Sequence, residues 1–272
     1  LKEKQMAYLL ATNQEEKAGE VLEERGERDK ALTLYMKANK PGRAARLALK
    51  TSSLLQNEDL VSRIISLLVR SELYELAGDL AQKTNQLDIA MKFYKKGNSF
   101  SRAIEIARVV SPDEVTILEE EWGDFLVQKR QLDASISHYI EAGATNKALD
   151  AAMGAKQYRK AVQIVKVLDD SVEIKKYAAE LSEHLSNSGD IDTAEDLLLR
   201  AEMYKEAIEM LNKHNKWEKS FDIAEQYLEK DEMSELFMDV ALKLEQEKKY
   251  RDAEKVYITT GQHDLAINMY KN

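Results

Sequence analysis

The chain has 272 residues, 44% hydrophobic and 33% charged, with two prolines, ten glycines, no cysteine and a net charge of −9. That hydrophobic share is that of a folded protein, and so little Pro and Gly excludes a turn-rich sheet fold in favour of long helical content. Without cysteine there are no disulfides or thiolate metal sites, and no stretch reaches the ~18–20 apolar residues of a membrane span.

The opening "LKEKQMAYLLATNQEEK" has no apolar run long enough for a signal peptide. It lacks an initiating methionine, and "INMYKN" at the other end stops mid-pattern, so the chain is expected to be a piece of a longer protein. The first helix–turn–helix unit is "AGEVLEERGERDKALTLYMKAN", with Gly19 on its first helix and Ala31, Tyr35 and Ala38 on its second. Gly26 suits the intervening helix C-terminus. Pro41 opens the helix "GRAARLALK", which carries Ala44 and a basic stripe of Arg43, Arg46 and Lys50. "KTSSLLQNEDL" (50–60) is expected to be an irregular connection or bend.

The second unit, "AGDLAQKTNQLDIAMKFYKKGN", repeats the spacing with Gly78, Ala90, Tyr94 and Gly97, followed by Ala103. A second basic stripe, Lys92, Lys95 and Lys96, lies on it. "SPDE" then predicts a helix start: Ser111 at the N-cap, Pro112 at the first helical position and Glu114 at the third, a capping box. The third unit, "WGDFLVQKRQLDASISHYIEAG", has Gly123, Ser135, Tyr139 and Ala142, followed by Ala148. The fourth has Ser182, Ala194, Leu198 and Ala201, and the fifth Ala241, Ala253, Tyr257 and Thr260. Ala207 and Ala266 follow them. Asx residues in the "KTNQLD" and "SNSGD" turns suit the next N-cap, and Gly189 a helix C-terminus.

The i, i+4 step from Ala31 to Tyr35 keeps both on one helix face. A small residue there lets a neighbouring helix approach, and the tyrosine fills the space beside the contact, worth roughly 1.5–3 kcal/mol on burial. Gly19, Gly78 and Gly123 are read in the same way, as are Ala90, Ala194 and Ala253 with Tyr94, Tyr139 and Tyr257. In the alanine column, the steps from Ala31 to Ala90, Ser135 to Ala194 and Ala194 to Ala253 are equal, and the step from Ala90 to Ser135 is shorter. None is a multiple of the tetratricopeptide period of about 34 residues, so extra helices are expected. Stacked units of this kind bury a continuous core only together. The expected fold is all-α: a single right-handed α-solenoid over 1–272, built of degenerate tetratricopeptide-like repeats with about fifteen helices.

Chemistry-bearing motifs are scarce. No Gly-x-Gly-x-x-Gly, Walker loop or Gly-x-Ser-x-Gly elbow occurs. His138, His184, His214 and His263 are scattered, with no ligand-like pair, and are assigned structural or solvated roles. Asp190, Asp192 and Glu195 lack the register of an EF-hand loop and are read as inter-helix capping. Glu119, Glu120 and Glu121 are read as a solvated face; Trp122 and Trp217 as core packing or interface anchors. The two basic stripes are a solvent face or a contact for an acidic partner. Residues 1–110 carry 19 Lys/Arg against 15 Asp/Glu and the rest 21 against 34, an acidic second half that opposes nucleic-acid binding. That asymmetry is either a solvated surface or two faces for differently charged partners. No cofactor, metal or small-molecule substrate is implied.

The G…A…Y…A spacing resembles the tetratricopeptide family. It departs where that family ends its unit in proline: here stand Arg43, Arg102, Lys147, Glu206 and Leu265. The strings "EKAGEV", "SELYELAGDL", "RAIEIAR", "EEWGDFLVQKRQLDASISHYIEA", "KALDAA" and "DLAINMYK" resemble the helical region of the intraflagellar transport protein 172 family, in the same order from Lys17 to Lys271. The resemblance implies a piece of the long helical tail of a peripheral subunit of the ciliary B complex. It also implies a non-enzymatic scaffold for cilium assembly, placed in the cilium (axoneme, basal body) and cytoplasm, that contacts other B-complex subunits and the A complex. A solenoid of a vesicle-coat or membrane-tethering subunit is the alternative, and an enzyme docking substrates on a helical surface the third reading.

Overall fold

A computed structural model describes residues 2–168 and 171–271. All regular elements among them are α-helices, twenty in number. The chain groups into two compact units, Leu1–Ala144 and Thr145–Asn272. The first holds α1 (Lys2–Ala11), α2 (Glu15–Glu24), α3 (Arg28–Lys37), α4 (Pro41–Leu49), α5 (Ser52–Leu55), α6 (Glu58–Arg70), α7 (Tyr74–Lys83), α8 (Leu87–Lys96), α9 (Phe100–Val110), α10 (Glu114–Gln128) and α11 (Leu132–Glu141). The second holds α12 (Thr145–Gly154), α13 (Tyr158–Val167), α14 (Ser171–Asn187), α15 (Ile191–Arg200), α16 (Tyr204–Lys213), α17 (Trp217–Tyr227), α18 (Lys230–Gln246), α19 (Tyr250–Thr259) and α20 (His263–Met269).

Twenty helices stand where about fifteen are expected because most are short and the chain reverses within a tight turn at a left-handed residue. These residues fall into evenly stepped groups: Asn13, Gly26 and Asn39; Glu72, Asn85 and Asn98; Arg130, Gly143 and Lys156; Gly189, Glu202 and Asn215; and the pair Lys248 and Gly261. The residue after each serves as a hinge between two helices. Its N–H donates to the carbonyl five residues back, as Glu27 does to Leu22 at 2.9 Å. Its own carbonyl then accepts the first bond of the next helix, as Glu27 does from Ala31 at 3.0 Å. The helix behind is closed in a Schellman motif by the residue that opens the helix ahead. Side-chain caps are therefore largely dispensable at these turns; Asp190, which accepts from the Thr193 N–H at 3.3 Å, is an exception. Asn85, expected at an N-cap, takes the left-handed position instead, a conformation asparagine tolerates better than most residues.

A longer interval separates each group from the next. One structural repeat thus runs from Asn13 to Glu72, the next from Glu72 to Arg130, and so on. It falls somewhat short of two tetratricopeptide periods of about 34 residues each. Each longer interval holds a short helix followed by a longer one: α4 and α6 (with the small α5 between them), α9 and α10, α13 and α14, α17 and α18. The segment 50–60 is the break of the first interval, and it folds into α5 and the start of α6. This frame explains the shorter step from Ala90 to Ser135. Tyr35 and Tyr94 follow the second left-handed residue of their groups, Gly26 and Asn85, whereas Tyr139 and Tyr257 follow the first, Arg130 and Lys248. The five segments that align without gaps thus do not occupy one structural position.

At "SPDE" no capping box forms. α10 begins at Glu114; the Ser111 carbonyl accepts the Glu114 N–H at 2.9 Å, and the Pro112 carbonyl accepts from Val115. Ser111 has φ −144° and ψ 71°, and its backbone oxygen takes the part expected of its hydroxyl. Pro112 lies in the turn ahead of the helix. Pro41, by contrast, is the first residue of α4.

In the first unit, Tyr35, Ile64, Leu68 and Leu80 belong to one buried cluster, and Tyr94, Ile104 and Leu118 to a second. In the second unit, Phe221 meets Phe237 edge-on with centroids 5.4 Å apart. There Arg200 on α15 donates to the Val165 and Leu168 carbonyls at 3.0 and 2.7 Å, satisfying the C-terminal end of α13.

Candidate protein-interaction surface

Three hairpins of the first unit share one tight contact. A Cβ built on Gly19, Gly78 or Gly123 would stand 2.7, 2.7 or 2.6 Å from Cε1 of Tyr35, Tyr94 or Tyr139 respectively. Each ring lies against helix backbone that only glycine leaves bare. The ring's hydroxyl then donates to a carboxylate on the glycine's own helix: Tyr35 to Glu23 at 2.8 Å, Tyr94 to Asp79 at 2.7 Å with the Gln82 amide 2.9 Å away, Tyr139 to Asp124 at 2.8 Å. Burial and then the Glu23 carboxylate push the Tyr35 hydroxyl up to about 12; burial and then Asp79 raise Tyr94 too. Ala31, Ala90, Ala194 and Ala253 are all fully buried at their helix contacts.

Two of the residues at the position of the family's proline complete this arrangement. Arg102 pairs with Asp79 at 2.5 Å and covers the Tyr94 ring at 5.0 Å. Arg43 pairs with Glu16 at 2.9 Å and with Glu20, and covers the Tyr35 ring. Arg43 is therefore engaged inside the chain, as are Lys95, paired with Glu121 at 2.7 Å, and Lys96, 5.8 Å from the Tyr74 ring. Neither basic stripe is wholly free for a partner; Arg46, Lys50 and Lys92 are exposed. Lys50 closes α4 as its C-cap.

The acidic run at 119–121 is not a solvated face. Glu119 is buried and meets Nδ1 of His138 at 2.8 Å, while the His138 ring stacks on Trp122 at 3.9 Å. Trp122 also stacks on Phe100, and Trp217 packs against the core of the second unit. Asp192 and Glu195 pair with Lys219 at 2.8 and 3.2 Å. Among the described residues no group of three or more His, Asp or Glu could hold a metal, and no helix is long and apolar enough to cross a membrane.

An open cleft of ≈ 630 Å³ lies between α3 and α6 in the first unit. Met36, Leu60 and Leu67 give it an apolar wall, Lys37, Arg63 and Arg70 are its cations, and no carboxylate lines it. Lys37 lies 3.6 Å from Glu15. Arg63 and Arg70 are exposed and have no ion pair among the described residues. The two basic stripes read from the sequence did not include this cleft. The available signal was Leu60, Arg63, Leu67 and Arg70 at i, i+3, i+7 and i+10, a second face on an amphipathic helix.

The profile of the TPR domain family of intraflagellar transport proteins 140 and 172 matches residues 120–270. The chain belongs to this family. Curated relatives match beyond the profile, along the whole chain. The Intraflagellar transport protein 172 homolog of Drosophila melanogaster is 58% identical over 271 residues, covering all of this chain and 16% of that protein. The human homolog is 42% identical over 264 residues, 97% of the chain and 15% of that protein. Intraflagellar transport protein 172 of Chlamydomonas reinhardtii is 39% identical over 273 residues, the whole chain and 16% of that protein. The chain thus spans about a sixth of the length of these relatives, and it is an α-solenoid of tetratricopeptide-like repeats, as the family name describes.

Proposed function

We propose that the chain is a protein-binding segment of an intraflagellar transport B-complex subunit and acts as a scaffold without catalytic activity. The observation that carries this is the 58% identity along the whole chain to an intraflagellar transport protein 172 homolog. The repeat supports it: short helices joined by tight turns present a large, regular surface at low cost in loop entropy. On this reading the chain contributes to cilium assembly, works in the cilium, at the axoneme and basal body, and in the cytoplasm, and touches other B-complex subunits and the A complex. Proximity labelling from the chain in ciliated cells tests it. Enrichment of ciliary train subunits is expected. Enrichment of vesicle-coat or tethering subunits without them would overturn it.

A further inference from the structure

Across the repeats, the helix that follows the second left-handed residue faces the long helix of the neighbouring interval, and opposite charges tie the two together. Lys95 of α8 meets Glu121 of α10 at 2.7 Å. Asp150 of α12 meets Lys176 of α14 at 2.8 Å and accepts from the Tyr177 hydroxyl at 2.7 Å. Lys205 of α16 meets Glu232 of α18 at 2.6 Å. The first repeat departs from this rule. Arg63 stands nine residues before Glu72, as Glu121 stands nine before Arg130, so a cation replaces the acid. Met36 stands ten after Gly26, as Lys95 stands ten after Asn85. Thr33 stands seven after Gly26, as Asp150 stands seven after Gly143. The carboxylates of Glu121 and Asp150 thus have no counterpart at Arg63 and Thr33, and the α3–α6 cleft opens there.

We propose that this cleft docks an acidic helical segment of a partner protein. The segment supplies in trans the carboxylates that the other repeats supply internally. Arg63 and Arg70 are two helical turns apart on α6, roughly 10 Å along its axis. Carboxylates at i and i+7 of a bound helix span the same distance, with Lys37 on the facing wall. Apolar side chains between those carboxylates meet Met36, Leu60 and Leu67. Among the described residues the two arginines carry no internal ion pair that would have to break first. The inference rests on the scaffold reading above and names the partner chemistry of one of its surfaces.

The test uses the intact chain and a short fluorescein-labelled helical peptide with glutamates at i and i+7 and leucines between them. A peptide with lysines in place of the glutamates, and phosphatidylserine vesicles, are the comparison probes. The glutamate peptide is expected to bind and the lysine peptide not to. Arg63→Glu with Arg70→Glu is expected to weaken binding at least about ten-fold, as is high salt. Both side chains are exposed, so the melting temperature is expected to hold; if it falls, Arg63→Gln with Arg70→Gln replaces the pair. Equal binding of both peptides, or no loss in the variants, overturns the proposal. Vesicle binding lost in the variants without peptide binding overturns it in favour of a lipid surface. Proximity labelling with the variant separates the two levels: ciliary train subunits still enriched despite a failed peptide result leaves the scaffold reading standing and removes only this cleft.

Discussion

In the first unit, three hairpins lay a tyrosine ring on a bare glycine: Gly19 and Tyr35, Gly78 and Tyr94, Gly123 and Tyr139. In the second, the aligned positions hold Ser182 with Leu198, and Ala241 with Tyr257. All four of these residues are buried. The second unit therefore accommodates a Cβ at the small-residue position, whether the partner is Leu198 or Tyr257. The polar groups beside the ring thin out as well. Asp79 and Gln82 both serve Tyr94, and Arg102 covers it; Tyr257 has Glu245 at 3.0 Å, while Leu242 and Leu265 replace the neighbouring acid and cation. One backbone module thus tolerates two ways of closing its hairpin. In one, a polar clasp holds a ring against glycine; in the other, a Cβ and aliphatic packing fill the space. An interior glycine costs about 1 kcal/mol relative to alanine, and in the first unit that loss is offset by the ring contact.

The comparison can be broken most directly at the small residue. Gly78→Leu and Gly123→Leu are expected to cost about 3 kcal/mol or more, since bulk would enter a closed ring contact. Gly78→Ala is expected to destabilise by about 1–2 kcal/mol despite its better helix propensity. In the second unit the sign reverses: Ala241→Gly is the destabilising change, by about 1 kcal/mol. Urea titration of each variant measures all four, and a stabilised Gly78→Ala would refute the close contact.

Next in size is the clasp. Asp79→Ala is expected to cost about 1–2 kcal/mol, because the buried ring loses a charged acceptor and Arg102 loses the nearer of its two partners, keeping Glu75 at 3.4 Å. Glu245→Ala in the second unit should cost less, about 1 kcal/mol, with only one hydroxyl affected. Equal losses in the two variants would remove the distinction between the units.

Alkaline titration probes what the two units share. Burial first, and a carboxylate second, push both Tyr35 and Tyr257 up to about 12. The unfolded chain ionises its tyrosines near pH ~10. A raised folded value means the stabilisation is complete below pH ~10 and is lost as pH rises toward ~12. Tyr35→Phe and Tyr257→Phe should each flatten part of that decline in stability; parallel curves for wild type and both variants would remove the hydroxyls from the account.

The smallest effect concerns the turns, where the units do not differ. Arg130 in the first and Lys156 in the second hold a left-handed backbone with φ of 60° and 56°. Arg130→Gly and Lys156→Gly are each expected to stabilise by about 0.5–1 kcal/mol, by relieving a conformation that side chains disfavour. A shift of either denaturation midpoint to lower urea would contradict the turn geometry.

Much of this architecture is legible in the residues. Gly19, Gly78 and Gly123 precede Tyr35, Tyr94 and Tyr139 by one constant interval, and that spacing fixes which helix faces must meet. Gly26 and Gly189 announce their left-handed turns. Glu72, Arg130, Lys156, Glu202 and Lys248 do not, because none of these residue types favours such a backbone. Turns at these positions are carried by the repeat spacing and not by the residue type, which leaves the left-handed residue itself unmarked. "SPDE" carries the letters of a capping box, yet an i+3 backbone bond satisfies the same N–H first. Glu119 is one acid among three in the string; only the fold brings His138 from another helix to pair with it.

The sequence by itself determined the all-helical class, the small-and-aromatic hairpin contacts and the family, because periodicity and identity are properties of the string. The tertiary structure decided the frame of the repeat, since a turn's handedness is set by hydrogen bonds that close two helices at once. It also decided which charges are free. Arg43 and Arg63 are alike as letters, but one is held by Glu16 and Glu20 against a tyrosine ring and the other faces an open cleft with no carboxylate lining it.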